Sequence, residues 1–187
     1  AYDPTKQLAL KENAIVGTSS ARRKSILSAF RSDLKIKDLR GNVPTRIDKL
    51  REEDYDAIVL ANAGVSRLNI DLSEFQVEIL KPQDFVPAPA QGVLGLQTRS
   101  EDEETKKYVS KINNPDVKSI VNIERSVLNK LDGGCQLPLG VYAEKISGKY
   151  EVWATLGQED GSLKRVQSSF DSEYDAADSI VHALKKN

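Results

Sequence analysis

Between Ile15 and Leu68 a short apolar run three times ends in a small-residue turn and opens into a helical stretch, and this repetition constrains the fold more than any other feature. Ile15-Val16 leads into Gly17-Thr18-Ser19-Ser20. The stretch ARRKSILSAF that follows sets Ile26, Leu27 and Phe30 on one helical face, with Ser19 or Ser20 as N-cap. Leu34 to Leu39 reads as a short strand. After Arg40-Gly41-Asn42, Pro44 falls where a first helical turn tolerates it, and Val43, Ile47 and Leu50 recur at i, i+4 and i+7. Tyr55 to Ala61 reads as a buried strand, and Ala63 to Leu68 as a turn into a third helix. Strands with little polar alternation, separated by helices, predict an α/β lobe with a parallel or mixed sheet and helices on both faces.

The pattern changes near residue 82. Pro82, Pro87 and Pro89 crowd the segment KPQDFVPAPAQGVLGLQTR, which reads as a crossover, residues 82–100, ending in a strand. Residues 101–131 predict two helices split by Asn113-Asn114-Pro115, the second carrying Ile120, Ile123, Val127, Leu128 and Leu131. From Val141 to Phe170 alternating runs separated by Ser-Gly and Asp-Gly turns predict an antiparallel meander, and Ala176 to Lys186 a closing amphipathic helix. The chain thus divides into an α/β unit (1–81), the crossover (82–100) and a small α+β unit with an antiparallel sheet (101–187). At 187 residues, with 39% hydrophobic and 29% charged residues, collagen-like, coiled-coil and fully disordered classes are excluded. No apolar run approaches the roughly 20 residues of a membrane helix. The absence of methionine predicts further chain before Ala1.

Net charge is only −1, yet from Arg22 to Arg51 ten basic residues face three acidic ones, which points to an anionic ligand. Gly17, Thr18, Ser19 and Ser20 open a helix whose first turn holds Arg22 and Arg23. Cations there are disfavoured by about 0.3–1 kcal/mol each, a cost that makes sense if an anion binds between them. Solvated arginines on a capped surface helix, or arginines on nucleic-acid phosphates, are the other readings of this segment. Arg40 and Gly41, with Arg46 one turn into the second helix, follow the second strand. Ala61, Gly64 and Arg67 follow the third. Parallel strands bring such turns to one edge, so Arg22, Arg23, Arg40, Arg46 and Arg67 together predict a polycarboxylate pocket.

The single cysteine, Cys135, stands in Gly133-Gly134-Cys135-Gln136-Leu137-Pro138-Leu139-Gly140, a tight loop. A buried structural cysteine and a displayed thiol used for covalent attachment both fit. A histidine-supported nucleophile does not, because the sole histidine, His182, lies in the closing helix, and the ligands for a metal site are missing.

The segments GTSSARR, LRGNVPTRIDKL, YDAIVLANAGVSRL, PAPAQGVLGLQTR and IERSVLNKLDGGCQLPLG, in this order and spacing, closely resemble the porphobilinogen deaminase (hydroxymethylbilane synthase) family. The resemblance implies a transferase of haem and tetrapyrrole synthesis that condenses four porphobilinogens into hydroxymethylbilane, releasing ammonia at each step. It implies a dipyrromethane cofactor joined by a thioether to Cys135. It implies carboxylate binding by Arg22, Arg23, Arg40, Arg46 and Arg67, and cofactor contacts from Thr18, Ser19, Ser20, Arg22, Arg23, Gly41, Ala61, Gly64 and Gln91. Protonating the leaving amine and stabilising the azafulvene-like cation calls for a carboxylate, in the family an aspartate of the first domain. No acidic residue of this chain matches that aspartate by motif. The family's first two domains resemble periplasmic-binding-protein lobes, and its third is an α+β unit bearing the cysteine. By this resemblance the chain is the C-terminal two-thirds of such a protein, with most of the first domain absent and inactive without it. The expected partners are porphobilinogen, the growing polypyrrole and that missing N-terminal domain. The expected state is a cytoplasmic monomer, plastidic in a photosynthetic eukaryote, bound to neither nucleic acid nor membrane. Pro89-Ala90 stands where the family commonly has a valine-glycine pair. The alternative function is a non-catalytic polycarboxylate-binding module of the same fold.

Overall fold

The protein is represented by a computed structural model that describes residues 8–52, 54–134 and 136–186. Its N-terminal part is built on three short strands, β1 (Ile15–Gly17), β2 (Lys35–Lys37) and β3 (Ala57–Ile58), all parallel in the order β2-β1-β3. β1 is central, with Val16 opposite both Ile36 and Ala57. Each strand feeds a helix: α1 (Ala21–Phe30), α2 (Val43–Arg51) and α3 (Asn62–Arg67). Ser20 caps α1 by accepting from the Arg23 amide, and Asn42 caps α2 by accepting from that of Thr45, with Pro44 in the first turn as expected. Ile26, Leu27 and Phe30 of α1 pack with Ala14, Val16, Leu34 and Phe85 into one buried cluster.

Two readings of the sequence are corrected. Tyr55 to Ala61 is not a buried strand along its length: only Ala57–Ile58 pairs, both half-buried, while buried Tyr55 donates its hydroxyl to the Asp38 carbonyl at 2.7 Å. Residues 82–100 contain no strand, and Leu94 is 82% exposed. Apolar residues favour a strand only where a neighbouring strand takes up the backbone groups, and none among the described residues does so for 93–98.

The C-terminal part begins with α4 (Glu103–Ser110) and α5 (Pro115–Lys130), continues as the meander β4 (Leu139–Ile146), β5 (Lys149–Gly157) and β6 (Leu163–Phe170), and ends in α6 (Glu173–Lys185). Val141 and Ala143 of β4, and Val152 and Ala154 of β5, alternate onto the face covered by α5 and α6. There they meet Ile123, Val127, Ala176, Ala177, Ile180, Val181 and Leu184. The opposite face carries α1 and the strap of residues 83–91. Gly140 permits this contact, since a Cβ there would lie 2.7 Å from both the Val86 carbonyl and the Thr155 hydroxyl. The Val141 amide donates to the Pro87 carbonyl at 2.9 Å, and Arg165 donates to the Gln83 and Asp84 carbonyls at 2.9 and 2.8 Å.

Candidate functional site

Because the three strands are parallel, their C-terminal ends share one edge, and the order β2-β1-β3 places a topological switch point between β1 and β3. Arg23 spans that crevice: its guanidinium donates to the Val59 carbonyl, just past β3, at 2.6 Å. Arg22, one residue earlier on α1, turns toward the strap. It donates to the Val86 carbonyl at 2.6 Å and to Gln91 Oε1 at 3.2 Å, with Phe85 beneath it 6.0 Å from ring centre to guanidinium. Arg22 is only 6% exposed, and its charge is held inside.

Three guanidiniums share one electrostatic neighbourhood. Burial, followed by the charge of Arg23, pulls Arg22 down to about 10, and burial, followed by the charge of Arg46, lowers Arg23. At about 10, Arg22 stays charged at neutral pH. Among the described residues neither Arg22 nor Arg23 is paired with a carboxylate, whereas Arg31 and Arg51 elsewhere on the same sheet lobe are. Arg46 donates its Nε to the Gly41 carbonyl at 2.8 Å and so folds back over the turn after β2. Mutually repelling cations without a counter-charge, at the mouth of a crevice, favour a multiply charged anion.

The other residues of the sequence reading fall on the same edge with different exposures. Thr18 is buried, and its hydroxyl accepts from the Ser20 amide at 3.3 Å; Ser20 is the cap, and exposed Ser19 exchanges hydrogen bonds with the Leu39 backbone at 3.0 Å. Gly41 takes a φ of 122°, where a side chain is rare, and Gly64 faces Val43 at ordinary contact. Half-buried Ala61 precedes α3 as its cap residue without a side-chain bond. Arg40 is exposed and contributes to lowering the Asp38 carboxyl, whose main partner is Lys24 at 2.5 Å. Arg67 does not stand at a strand-to-helix turn: it occupies the last turn of α3 and is exposed. Cys135 lies outside the described residues.

Reasoning from sequence missed two contributors. One is the Val86 carbonyl of the strap, which holds Arg22 together with Gln91, the strap residue already named from the sequence. The other is Glu124, a buried carboxylate on α5 that accepts from the Ala90 and Ala143 amides at 2.6 and 2.9 Å. Its signal was available: Glu124 interrupts the apolar stripe of Ile120, Ile123, Val127 and Leu128.

Residues 3–107 match the family model described as "Porphobilinogen deaminase, dipyromethane cofactor binding domain", and residues 119–186 match "Porphobilinogen deaminase, C-terminal domain". The chain belongs to the porphobilinogen deaminase family. A porphobilinogen deaminase of Oceanobacillus iheyensis is 46% identical over 153 residues, covering 82% of this chain and 49% of that protein. Those of Chlorobium phaeovibrioides and Fusobacterium nucleatum are each 45% identical over 157 residues, covering 84% of this chain and 50% and 52% of theirs. The chain thus spans about half the length of the curated relatives it matches. One expectation is overturned. The first domain was expected to be largely absent and to act as an N-terminal partner; the cofactor-binding domain is present, since its family model covers residues 3–107. Among the described residues no helix is long and apolar enough to cross a membrane.

Proposed function

We propose that this chain is a hydroxymethylbilane synthase, joining porphobilinogen units into a linear tetrapyrrole with loss of ammonia, and that its anion site holds a dipyrromethane group anchored on Cys135. The observation that carries this is the cluster of Arg22, Arg23 and Arg46: burial, then a neighbouring guanidinium, lowers Arg22 and Arg23, and among the described residues none of the three pairs with a carboxylate. Each pyrrole unit brings an acetate and a propionate, so a chain of them supplies the missing counter-charges. Arginine suits this better than lysine, because its planar fork can bind a carboxylate with two parallel hydrogen bonds.

In this reading Arg23 and Arg46 hold carboxylates at the crevice, and Arg40 and Arg67, exposed along the same edge, meet those of later units. Arg22 acts from behind, as a buried charge that raises the local positive potential. Thr18, Ser19, Ser20, Gly41, Ala61 and Gly64 line the approach, and Gln91 orients Arg22. The cofactor, when bound, supplies the α-carbon to which the next pyrrole is joined. The residues of this chain bind, orient and neutralise it.

The test is intact mass followed by turnover. Purified protein is expected to carry an adduct of two pyrrole units, the Cys135→Ser variant to lack it, and the unsubstituted protein to release ammonia from porphobilinogen. A bare thiol in protein that turns over porphobilinogen would remove the cofactor assignment. The second reading, a polycarboxylate-binding module without catalysis, is favoured by one feature: both oxygens of Glu124, the buried carboxylate nearest the strap, are occupied by backbone amides. Saturable binding with no ammonia release would establish it.

A further inference from the structure

Glu124 is 5% exposed and carries a carboxylate into the interior between α5, β4 and the strap. Among the described residues no cation pairs with it, and burial raises its pKa while the two amides pull the other way. An unpaired buried carboxylate is costly, and at this point in an apolar helix stripe a leucine would pack at no such cost. What the carboxylate does that leucine cannot is accept two backbone amides from separate segments, one through each oxygen.

The amide from the strap belongs to Ala90, whose φ of 59° is in the left-handed region that a non-glycine residue avoids. That conformation turns the chain so that Gln91 comes back over Ala88: the Gln91 amide donates to the Ala88 carbonyl at 2.9 Å, and Gln91 Oε1 accepts from the Ala88 amide at 3.4 Å. The same Oε1 accepts from Arg22. Glu124, Ala90, Gln91 and Arg22 therefore form an unbroken series of contacts from the middle of α5 to the arginine cluster. Eleven residues beyond Glu124 in the sequence, past the end of the same helix, comes Cys135.

We propose that Glu124 is a positioning residue for the anion site: by holding the 88–91 turn in its strained form it fixes Gln91 against Arg22, and it ties the helix leading to Cys135 to the same turn. This rests on the anion-binding reading above and adds to it a residue that touches no ligand.

The experiment uses the full chain and two readouts. The first is hydrogen exchange by 15N NMR of the Arg22 Nη–H protons, which bond the Val86 carbonyl and Gln91 and need no ligand to report. The second is calorimetric affinity for mellitate, a benzene hexacarboxylate, at a temperature well below unfolding. Glu124→Gln keeps the size of the side chain but leaves only one acceptor for two amides. It is expected to speed Arg22 exchange and to weaken mellitate binding about tenfold, the size of one lost hydrogen bond. Gln91→Ala, at an exposed position, is expected to do the same, and the double variant to be no worse than Gln91→Ala alone, because both act on one series. A lowered melting temperature in E124Q with unchanged Arg22 exchange and unchanged mellitate affinity would overturn the proposal, as would fully additive effects. If the unsubstituted protein ignores mellitate, the anion reading fails, and Arg22 exchange alone still decides the positioning role. Should E124Q not fold, Glu124→Asp, which retains both acceptors one methylene shorter, is expected to shift the same readouts by less, and no shift there overturns the proposal.

Discussion

At the N-terminal end of α1, Arg22 and Arg23 donate to carbonyls and an amide oxygen, stand close to a third guanidinium, and are pulled down by burial and mutual repulsion. Just past the C-terminal end of the same helix, Arg31 grips Asp33 with two hydrogen bonds of 2.7 Å, and its hold on the proton is strengthened by that pairing. The residue type and the helix are the same; what differs is whether the protein supplies the counter-charge. Where it does, the arginine closes a structural bracket around Asn13, whose amide Asp33 also accepts at 2.9 Å. Where it does not, the confined like charges keep that cost unless an anion joins them, the basis of the proposed site.

Substitutions at the two ends test this contrast. The largest effect is expected from Arg22→Leu: loss of the bonds to the Val86 carbonyl and Gln91 should lower unfolding free energy by about 2 kcal/mol and abolish measurable mellitate binding. Urea titration and calorimetry check both. Arg23→Leu should separate the two quantities. Mellitate affinity falls about tenfold or more, near 1.4 kcal/mol, while the anion-free melting temperature holds, because relief of repulsion from Arg22 and Arg46 offsets the lost bond to Val59. A fall in melting temperature matching the fall in affinity would mean that this end is structural too. Ala90→Gly, in the strap that holds Arg22, should raise stability by up to about 1 kcal/mol by relieving the left-handed backbone. The smallest change belongs to the other end. The Asp33 carboxyl is held well below the usual range by Arg31 and the Asn13 amide, so its stabilisation is present above the ordinary carboxylate pKa and is lost as pH falls through the folded value. Asp33→Asn should flatten that acid limb of the urea midpoint against pH and leave mellitate affinity untouched.

How far the sequence disclosed this site depended on the range of the interactions. Local signals carried α1 and α2: Ser20 and Asn42 cap where small polar residues precede an apolar-periodic run, and Pro44 sits in a first turn. The cations in the first turn of α1 stood out because they oppose the helix dipole, and they carry the proposed anion site. Long-range facts were not legible. Nothing local shows that Arg22 reaches 64 residues along the chain to Val86, or that Glu124 takes an amide from Ala90. The apolar run at Val93, Leu94 and Leu96 looked like a strand by composition, yet a strand is a property of two segments, and a partner cannot be read from one. Arg67 was placed at a turn because Ala63-Gly64 looked like one, whereas those residues lie inside a six-residue helix.

Val141, a core residue of β4, gives its amide to the Pro87 carbonyl, and the glycine before it lets the Val86 carbonyl rest directly on the sheet. The stretch from 83 to 91 is thereby stitched to the meander although its sequence falls within the cofactor-binding family match that runs to residue 107. Ancestry and mechanics draw the border of this molecule in different places. A swivel between its halves would have to unpick the seam at Pro87 or bend upstream of Gln83, and bending upstream would carry the clasp on Arg22 away with the C-terminal half, opening the arginine cluster as it moved.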